Sequence, residues 1–180
     1  MLERIILNPQ NFKLTLNRLC FQLIENYSDF SNTVIIGLQP RGILLANRIH
    51  QQLCTIVSTT DLQIGSLDVT FFRDDFRKHD GPLIPQSTSI DFSLEDKKVI
   101  LVDDVLFTGR TIRSGLDAML SFGRPQKVEL MVLIDRRYSR DLPIQPNYVG
   151  KTVDTLSSEK VKVEWEASEG KDQVKLITSN

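Results

Sequence analysis

Apolar residues recur with helical spacing in the first part of the chain. Between Asn11 and Tyr27 they return at three- and four-residue steps, which predicts an amphipathic helix. A short β-branched run follows at Thr33 to Gly37, then a turn at residues 39–42 and a second helical pattern over residues 43–50. These segments predict one unit of strand, loop and helix.

A second unit of the same kind lies in the middle of the chain. The run from Lys97 to Val102 is aliphatic after its lysines and predicts a strand that is covered on both faces of a parallel sheet. A polar loop, apolar residues at helical spacing up to Phe122 and a further strand over Lys127 to Ile134 follow it. The succession predicts an α/β fold with right-handed crossovers and a mainly parallel central sheet flanked by helices.

Three segments are less regular. Gly65 to Phe72 alternates apolar and polar residues and predicts a strand near a sheet edge or with one covered face. The polar stretch from Arg73 to Asp96 carries Gly and Pro breakers, so we expect a flexible loop or hairpin that acts as a lid. Irregular segments and short strands over about residues 135–165 predict a small C-terminal cap, or hood. The 180 residues, 41% of them hydrophobic, favour one domain over residues 1–180.

Charge and composition exclude several classes of protein. The formal net charge of −1 argues against a large nucleic-acid-binding face, although a local basic patch is compatible with it. The two cysteines, Cys20 and Cys54, lack zinc-site spacing and are expected in the core. The apolar runs are too short to cross a bilayer, and the first residues do not have the layout of a signal peptide. We therefore expect a cytoplasmic protein without a membrane partner.

Two adjacent carboxylates, Asp103 and Asp104, stand at the carboxyl end of the predicted central strand. In open α/β sheets ligands bind at this end. The backbone N–H groups of residues 108–111, at the start of a helix, favour an anion, while paired carboxylates bind vicinal hydroxyls or a hydrated divalent cation. A phosphate beside a diol describes a ribose 5-phosphate. The alternative is a polar strand end in which Thr108 only caps the helix.

Residues 99–111, VILVDDVLFTGRT, resemble the phosphoribosyl-pyrophosphate (PRPP) signature of type I phosphoribosyltransferases. From about Asn11 to Glu166 the chain more narrowly resembles the PyrR family of bacterial pyrimidine-operon attenuation regulators, which are also uracil phosphoribosyltransferases. Further matching stretches are GLQPRG at 37–42, DVTFFRDD at 68–75, GRP at 123–125, DLPI at 141–144 and YVGK at 148–151. The resemblance implies the type I phosphoribosyltransferase fold, Mg²⁺ as cofactor and a homodimer or higher homo-oligomer.

The resemblance also implies residue roles. Asp103 and Asp104 would hold the ribose hydroxyls and Mg²⁺, and residues 108–111 would cradle the 5-phosphate. Arg41 would bind pyrophosphate in a loop where Gln39-Pro40 offers a low-penalty cis peptide bond. Arg73, with Arg77 and Lys78, would close over the pyrophosphate, unless these residues form only a solvated loop. The implied catalytic residues are Asp104, Arg41 and Arg73. The implied PRPP- or nucleotide-binding residues are Gln39, Pro40, Arg41, Gly42, Asp103, Asp104, Val105, Leu106, Phe107, Thr108, Gly109, Arg110 and Thr111.

Position 107 bears on the base. Purine-salvage relatives carry an aspartate there, so Phe107 favours a pyrimidine, bound under a cap of about residues 135–155. The implied reaction transfers phosphoribosyl from PRPP to uracil and yields UMP and pyrophosphate. The implied second role is transcription regulation by UMP- or UTP-dependent binding of pyrimidine-operon leader mRNA. Candidate RNA contacts are Arg18, Arg137 and Arg140.

Other functions stay open at this point. Phe21 and Asn26 stand where the PyrR resemblance leads us to expect His and Arg, which puts RNA binding in question; Phe21 either stacks on an unpaired base or belongs to a core or interface. One alternative is a regulator that chiefly binds RNA and whose PRPP pocket senses a nucleotide. Others are a phosphoribosyltransferase for another base and a nucleotide-binding domain without activity.

Overall fold

The computed structural model describes residues 2–27, 29–58, 61–72, 86–156 and 158–178. Short 3₁₀ turns stand at Thr70–Phe72 and Leu120–Phe122. The strands and helices in chain order are β1 (Leu2–Leu7), α1 (Pro9–Asn26), β2 (Thr33–Leu38), α2 (Gly42–Ile56), β3 (Gln63–Leu67), β4 (Lys98–Leu106), α3 (Arg110–Met119), β5 (Lys127–Arg137), β6 (Tyr148–Asp154), β7 (Glu159–Glu164), α4 (Glu166–Glu169) and β8 (Gln173–Thr178).

The central sheet has five parallel strands in the order β3-β2-β4-β5-β6. Its middle strand is β4, where residues Val99 to Val102 are fully buried because helices cover both faces. The aliphatic runs of β2 and β5 are buried in the same way. This confirms the α/β fold with a parallel sheet, and it directs the carboxyl ends of β2 and β4 to the same edge.

Helix α1 begins where local chemistry favours a start. The Asn8 side chain accepts a hydrogen bond from the N–H of Asn11 at 2.8 Å, and Pro9 stands in the first turn, where a missing N–H costs nothing. The helix buries one face, with Phe12, Leu16, Leu19 and Leu23 in the core. The predicted helix is confirmed and starts two residues earlier than the apolar spacing indicates.

A second sheet, which we call the terminal sheet, consists of antiparallel β1, β8 and β7. Its link to the body includes Trp165, whose ring meets that of Phe12 edge-on at 5.3 Å between centroids. The expected cap over residues 135–165 is therefore wrong in detail. Residues 135–137 extend β5, and β6 is the fifth strand of the central sheet. The sequence pattern did not reveal that β1, far away in sequence, pairs with β8.

The segment after β3 also differs from the expectation. The strand at the sheet edge ends at Leu67, and Thr70–Phe72 form a 3₁₀ turn. Residues 86–96 lie against the body: Ser89 bridges to Ser66, and Leu94 is fully buried. The expected lid is thus too long at its C-terminal side, because Leu94 supplies an apolar anchor. Its remaining part, residues 73–85 with Arg73, Arg77 and Lys78, lies outside the described residues.

Within the described ranges no helix is long and apolar enough to cross a membrane. Cys20 is buried and Cys54 partly buried, and neither forms a disulfide.

Candidate active site

Two adjoining hollows open at the carboxyl ends of β2 and β4. The larger has a volume of about 370 Å³, enough for a sugar phosphate, and the smaller about 90 Å³. Both are lined by Asp103, Val105 and Thr111. The larger is also lined by Gln39, Pro40, Arg41, Val69, Thr70, Gln86 and Asp104, and the smaller by Leu106, Phe107, Thr108, Gly109, Arg110 and Ile112.

Volume alone does not mark this place as the site. Hollows of about 380 and 480 Å³ lie elsewhere on the surface, beside Tyr27 and beside Arg48. The pair at the sheet edge is lined by both the paired carboxylates and the glycine-containing loop. Of the thirteen residues that the resemblance implies for PRPP, Gly42 alone is absent from the two linings.

The two carboxylates belong to β4 itself, which continues to Leu106. Asp104 is 7% exposed and accepts a hydrogen bond from Nε of Arg41 at 3.0 Å. Its own N–H donates to Oδ1 of Asp103 at 3.0 Å. Burial raises the pKa of the Asp104 carboxyl, and the Arg41 guanidinium opposes that rise. Asp103 is less buried than Asp104.

Arg41 stands in the loop between β2 and α2. The Gln39-Pro40 peptide bond before it is cis, as hypothesised from the sequence. The Arg41 guanidinium also donates to the carbonyl of Val163 and lies 3.8 Å from a carboxylate oxygen of Glu169. The predicted pyrophosphate ligand therefore connects β4 to the terminal sheet and to α4, two contacts that the sequence did not indicate.

Gly42 matters because α2 starts directly against β4. A Cβ on Gly42 would lie 2.4 Å from the carbonyl oxygen of Val102 and 2.9 Å from Cα of Asp103. Only a residue without a side chain allows this approach. Gly42 thus sets the position of the first turn of α2 next to the carboxylates, without lining the hollow itself.

Residues 107–111 form what we call the phosphate loop, which leads from β4 into α3. Gly109 precedes the helix with φ of +90°, a left-handed conformation that favours glycine. A Cβ there would also meet Cγ1 of Ile144 at 3.0 Å. The N–H groups at the start of α3 border the smaller hollow, where the helix dipole favours an anion.

Residues 141 and 142, in the DLPI stretch, hold the phosphate loop in place. The N–H groups of Asp141 and Leu142 donate to the carbonyl of Thr108 at 3.0 and 3.2 Å. Nε of Arg110 donates to the Asp141 carboxylate at 3.1 Å. These contacts join residues 31 to 34 positions apart in the chain and have no sequence pattern of their own. The sequence pointed to this region only through the DLPI stretch at 141–144.

The ring of Phe107 packs against the buried guanidinium of Arg136. Its ring is 41% exposed, and the guanidinium of Arg136 lies 4.0 Å from the ring centroid. Arg136 is only 6% exposed and donates to Oγ1 of Thr155 at 3.0 Å and to the carbonyl of Glu159 at 2.8 Å. Burial lowers the pKa of Arg136. Arg136, which the sequence analysis did not name as a site residue, therefore contacts one face of the Phe107 ring.

The three candidate RNA contacts all have protein partners. Arg18 donates to the carbonyls of Val149, at 3.2 Å, and Gly150. Arg137 donates to both carboxylate oxygens of Asp154 at 2.6 and 2.8 Å and is half exposed. The guanidinium of Arg140 binds backbone carbonyls and the carboxylate of Asp135 beneath the phosphate loop.

The two positions that depart from the family pattern have different environments. Phe21 is 52% exposed on α1, which excludes the core placement for the protomer. Asn26 donates to the hydroxyl of Tyr148 at 3.1 Å.

The donor set suits a magnesium ion carried by the substrate. Across the described ranges no group of three or more His, Cys, Asp or Glu side chains is placed to hold a metal. Mg²⁺ commonly keeps several waters and uses one or two carboxylates together with substrate phosphates. Asp103 and Asp104 offer two carboxylates at the mouth of the hollow, so the residues present fit this mode.

Comparison with known proteins gives consistent matches. A family model described as a phosphoribosyl transferase domain matches residues 4–168. A bifunctional protein PyrR of Synechocystis sp. is 42% identical over 172 residues, which cover 96% of this chain and 95% of that protein. A bifunctional protein PyrR of Desulfosudis oleivorans is 44% identical over 173 residues, with 96% and 95% covered.

Solved structures resemble the fold. A hypoxanthine phosphoribosyltransferase of Trypanosoma cruzi superimposes with a TM-score of 0.73 at 13% identity and covers 98% of this chain and 97% of its own. A hypoxanthine phosphoribosyltransferase of Staphylococcus aureus gives a TM-score of 0.70 at 19% identity, with 98% and 92% covered. At this level of identity the likeness concerns the fold alone.

Proposed function

The chain belongs to the phosphoribosyltransferase family and, within it, to the PyrR proteins, and on that premise we propose how its residues perform the reaction. It is a uracil phosphoribosyltransferase of the PyrR type, which converts uracil and PRPP into UMP and pyrophosphate. The observation that carries the assignment of residues is the convergence of the paired carboxylates of β4 and the phosphate loop on two adjoining hollows.

We assign the smaller hollow to the 5-phosphate of PRPP. The N–H groups at the start of α3 and the hydroxyls of Thr108 and Thr111 supply donors there. The ribose hydroxyls then lie at Asp103 and Asp104, whose carboxylates accept hydrogen bonds. Pyrophosphate lies toward Arg41 and the first turn of α2, which supply a cation and oriented N–H groups.

In the reaction the bond between C1 of ribose and the pyrophosphate oxygen breaks, and a bond from C1 to N1 of uracil forms as N1 gives up its proton, which the released pyrophosphate accepts. Positive charge develops on the ribose and negative charge on the leaving group. The carboxylates of Asp103 and Asp104 stabilise the first, and Arg41 stabilises the second. Mg²⁺, held by Asp103 and Asp104, would supply further neutralisation of the pyrophosphate. Arg73 remains a proposed contributor from outside the described residues.

We propose that the base lies near Phe107. The phenyl ring of this residue cannot exchange a proton with the base. An aspartate at this position interacts with the purine ring in purine-salvage relatives, and Phe107 instead offers an apolar face supported by Arg136. This favours uracil over hypoxanthine or guanine.

Regulation by RNA is the second proposed role. The PyrR relatives support a regulator, and the exposed ring of Phe21 is available for stacking on an unpaired base. We propose that leader mRNA of the pyrimidine operon binds the chain in dependence on UMP or UTP, with Arg18 and Arg137 as the remaining candidate contacts. A homodimer or higher homo-oligomer and a cytoplasmic location complete the proposal.

The enzymatic proposal is tested by uracil-dependent release of pyrophosphate. We expect turnover with uracil and Mg²⁺ and less with hypoxanthine, and we expect Asp103→Asn combined with Asp104→Asn to abolish it while the circular dichroism spectrum is retained. An undiminished rate in the double variant would remove the carboxylates from the mechanism, and a preference for hypoxanthine would contradict the role of Phe107.

A further inference from the structure

Arg140 makes an unusual set of contacts beneath the phosphate loop. Its guanidinium donates to the carbonyl of Phe107, to that of Arg136 at 3.2 Å and, through Nε, to that of Ile144 at 3.1 Å. It also forms an ion pair with Asp135. Nε and both terminal nitrogens are therefore engaged, and the side chain is only 24% exposed.

The residues that follow Arg140 also bind the phosphate loop. The N–H groups of Asp141 and Leu142 both donate to the carbonyl of Thr108. The Asp141 side chain pairs with Arg110, and Cγ1 of Ile144 lies 3.0 Å from the position that a Cβ on Gly109 would take. The 140–144 segment thus contacts each of the residues 107–110 of the phosphate loop.

These contacts determine where the carbonyl oxygens of the phosphate loop point, which matters in any site that binds an anion through backbone N–H groups. A loop that binds phosphate through its N–H groups must direct its carbonyl oxygens elsewhere, because their negative ends repel the anion. Buried carbonyls also need donors of their own. Arg140 takes the carbonyl of Phe107, and the N–H groups of Asp141 and Leu142 take that of Thr108.

We infer that Arg140 is a positioning residue for the 5-phosphate of PRPP: it holds the carbonyl side of the phosphate loop so that the N–H side faces the hollow. The inference rests on the proposed phosphoribosyl transfer. It gives Arg140 a different task from the RNA contact that the sequence suggested, because RNA would have to displace at least three protein acceptors from the guanidinium.

The test compares Arg140→Lys and Arg140→Ala with Arg48→Ala. Arg48 also pairs with an aspartate, Asp172, at 2.6 Å, but lies outside the active-site hollows, so its loss reports the effect of removing a comparable ion pair. Lysine keeps the charge but cannot reproduce the planar fork of donors. Asp135→Asn removes the ion pair and leaves the carbonyl contacts, which provides a milder variant if Arg140→Ala does not fold.

In steady-state kinetics we expect both Arg140 variants to raise KM for PRPP about tenfold or more, the scale of a lost charge-assisted hydrogen bond. KM for uracil should change less than about twofold on the same scale. Asp135→Asn should fall in between, and Arg48→Ala should match wild type. Calorimetry with ribose 5-phosphate should show the same order of affinities, without any need for turnover.

Unchanged KM for PRPP and unchanged affinity for ribose 5-phosphate in Arg140→Lys would overturn the inference. So would a loss of leader-RNA binding in that variant at wild-type PRPP kinetics, since Arg140 would then belong to the RNA face. If wild type binds ribose 5-phosphate but releases no pyrophosphate with uracil, the proposed function fails while the calorimetric series still decides the role of Arg140.

Discussion

Asp104 is a buried carboxyl group. Its ionised form serves the proposed reaction but lowers the stability of the folded protein. The carboxyl is almost fully buried, and its pKa lies above the ordinary 3.8 because burial outweighs the contact with Arg41. A group whose folded pKa is raised binds protons more readily in the folded state, so its contribution to stability falls as the pH rises through that range. Above it, the ionised form disfavours folding.

From this we expect Asp104→Asn to be more stable than wild type at neutral pH by about 1 kcal/mol, although it is inactive. The amide oxygen still accepts from Arg41, and no buried charge remains. The gain should shrink as the pH falls through the raised pKa of Asp104 and should be absent below the ordinary value of 3.8, where the wild-type carboxyl is neutral in both states. Urea unfolding at several pH values measures it, and a variant less stable than wild type at pH 7 would contradict it.

Phe107 is the second residue whose environment makes a prediction. Phe107→Tyr keeps the ring above Arg136 and should leave kcat/KM for uracil near the wild-type value. Phe107→Asp puts a carboxylate beside the guanidinium and exchanges the apolar face for an ion pair, so kcat/KM for uracil should fall at least about tenfold. The kcat/KM of each variant is measured with uracil and with hypoxanthine. If Phe107→Tyr and Phe107→Asp lost the same fraction of kcat/KM for uracil, the aromatic ring would not be what the reaction needs at this position.

At the scale of elements, the sequence predicted those segments whose burial produces a period. Helix α1 and strand β4 were found because their apolar faces repeat every 3.6 residues or run unbroken. The paired carboxylates and the phosphate loop were found because adjacent residues carry both motifs.

The elements that sequence reasoning missed depend on distant partners. β1 is defined by its pairing with β8, and β6 by its pairing with β5, neither of which local spacing encodes. The contacts of Arg41 with Val163 and of Arg136 with Phe107 link residues far apart in the chain. Such contacts become visible only when the fold brings the elements together.

The packing of α2 against β4 gives a prediction at this scale. In Gly42→Ala the added Cβ meets backbone atoms, which cannot move out of the way without shifting the helix. Overpacking of this kind typically costs about 1–3 kcal/mol. The shift also displaces Arg41 relative to Asp104, so we expect the KM for PRPP to rise as well. Thermal unfolding and kinetics measure the two effects, and an unchanged KM would contradict the link between them.

Glu164 is the centre of a network of hydrogen bonds and ion pairs in the terminal sheet. It accepts from Gln173, lies 3.1 Å from Lys162 and 3.3 Å from Lys175, and Lys175 also pairs with Glu3 at 3.0 Å. The hydrogen bond from Gln173, aided by the two lysines, lowers the pKa of Glu164 from 4.5 to about 2. A lowered folded pKa adds stability above the unfolded value, and this stability is lost as the pH falls from 4.5 toward 2.

We therefore expect Glu164→Gln to be less stable than wild type at neutral pH. The difference should narrow below pH 4.5 and disappear near pH 2. Chemical unfolding of both proteins across this range is the measurement. A difference that stays constant with pH would mean that packing, not the charge, accounts for the loss.

At the scale of the whole molecule, charge limits RNA binding. The net charge is −1, and the three candidate RNA contacts, Arg18, Arg137 and Arg140, have protein partners. Each contact with an RNA phosphate releases counterions. For a single strand, each such contact makes the slope of log binding constant against log salt concentration more negative by about 0.7. With few arginines available we expect a slope shallower than about −2 for leader RNA.

Filter binding of the pyrimidine-leader RNA across salt concentrations, with and without UMP, measures this slope. A control RNA of the same length and scrambled sequence separates specific from general affinity. A steep slope would show that a basic surface forms when chains associate, and no specific binding at all would remove the regulatory role and leave the enzyme.

The pairing of β1 with β8 has a consequence for how the protein is made. β1 leaves the ribosome well before β8 and stays without this partner until β8 has been synthesised, since Leu2 pairs with Thr178. The carbonyl of Val163 that holds Arg41 also belongs to this late region. A nascent chain that stalls before β7 therefore lacks both the partner of β1 and the carbonyl that binds Arg41, so β7 and β8 must be synthesised before the enzyme can work.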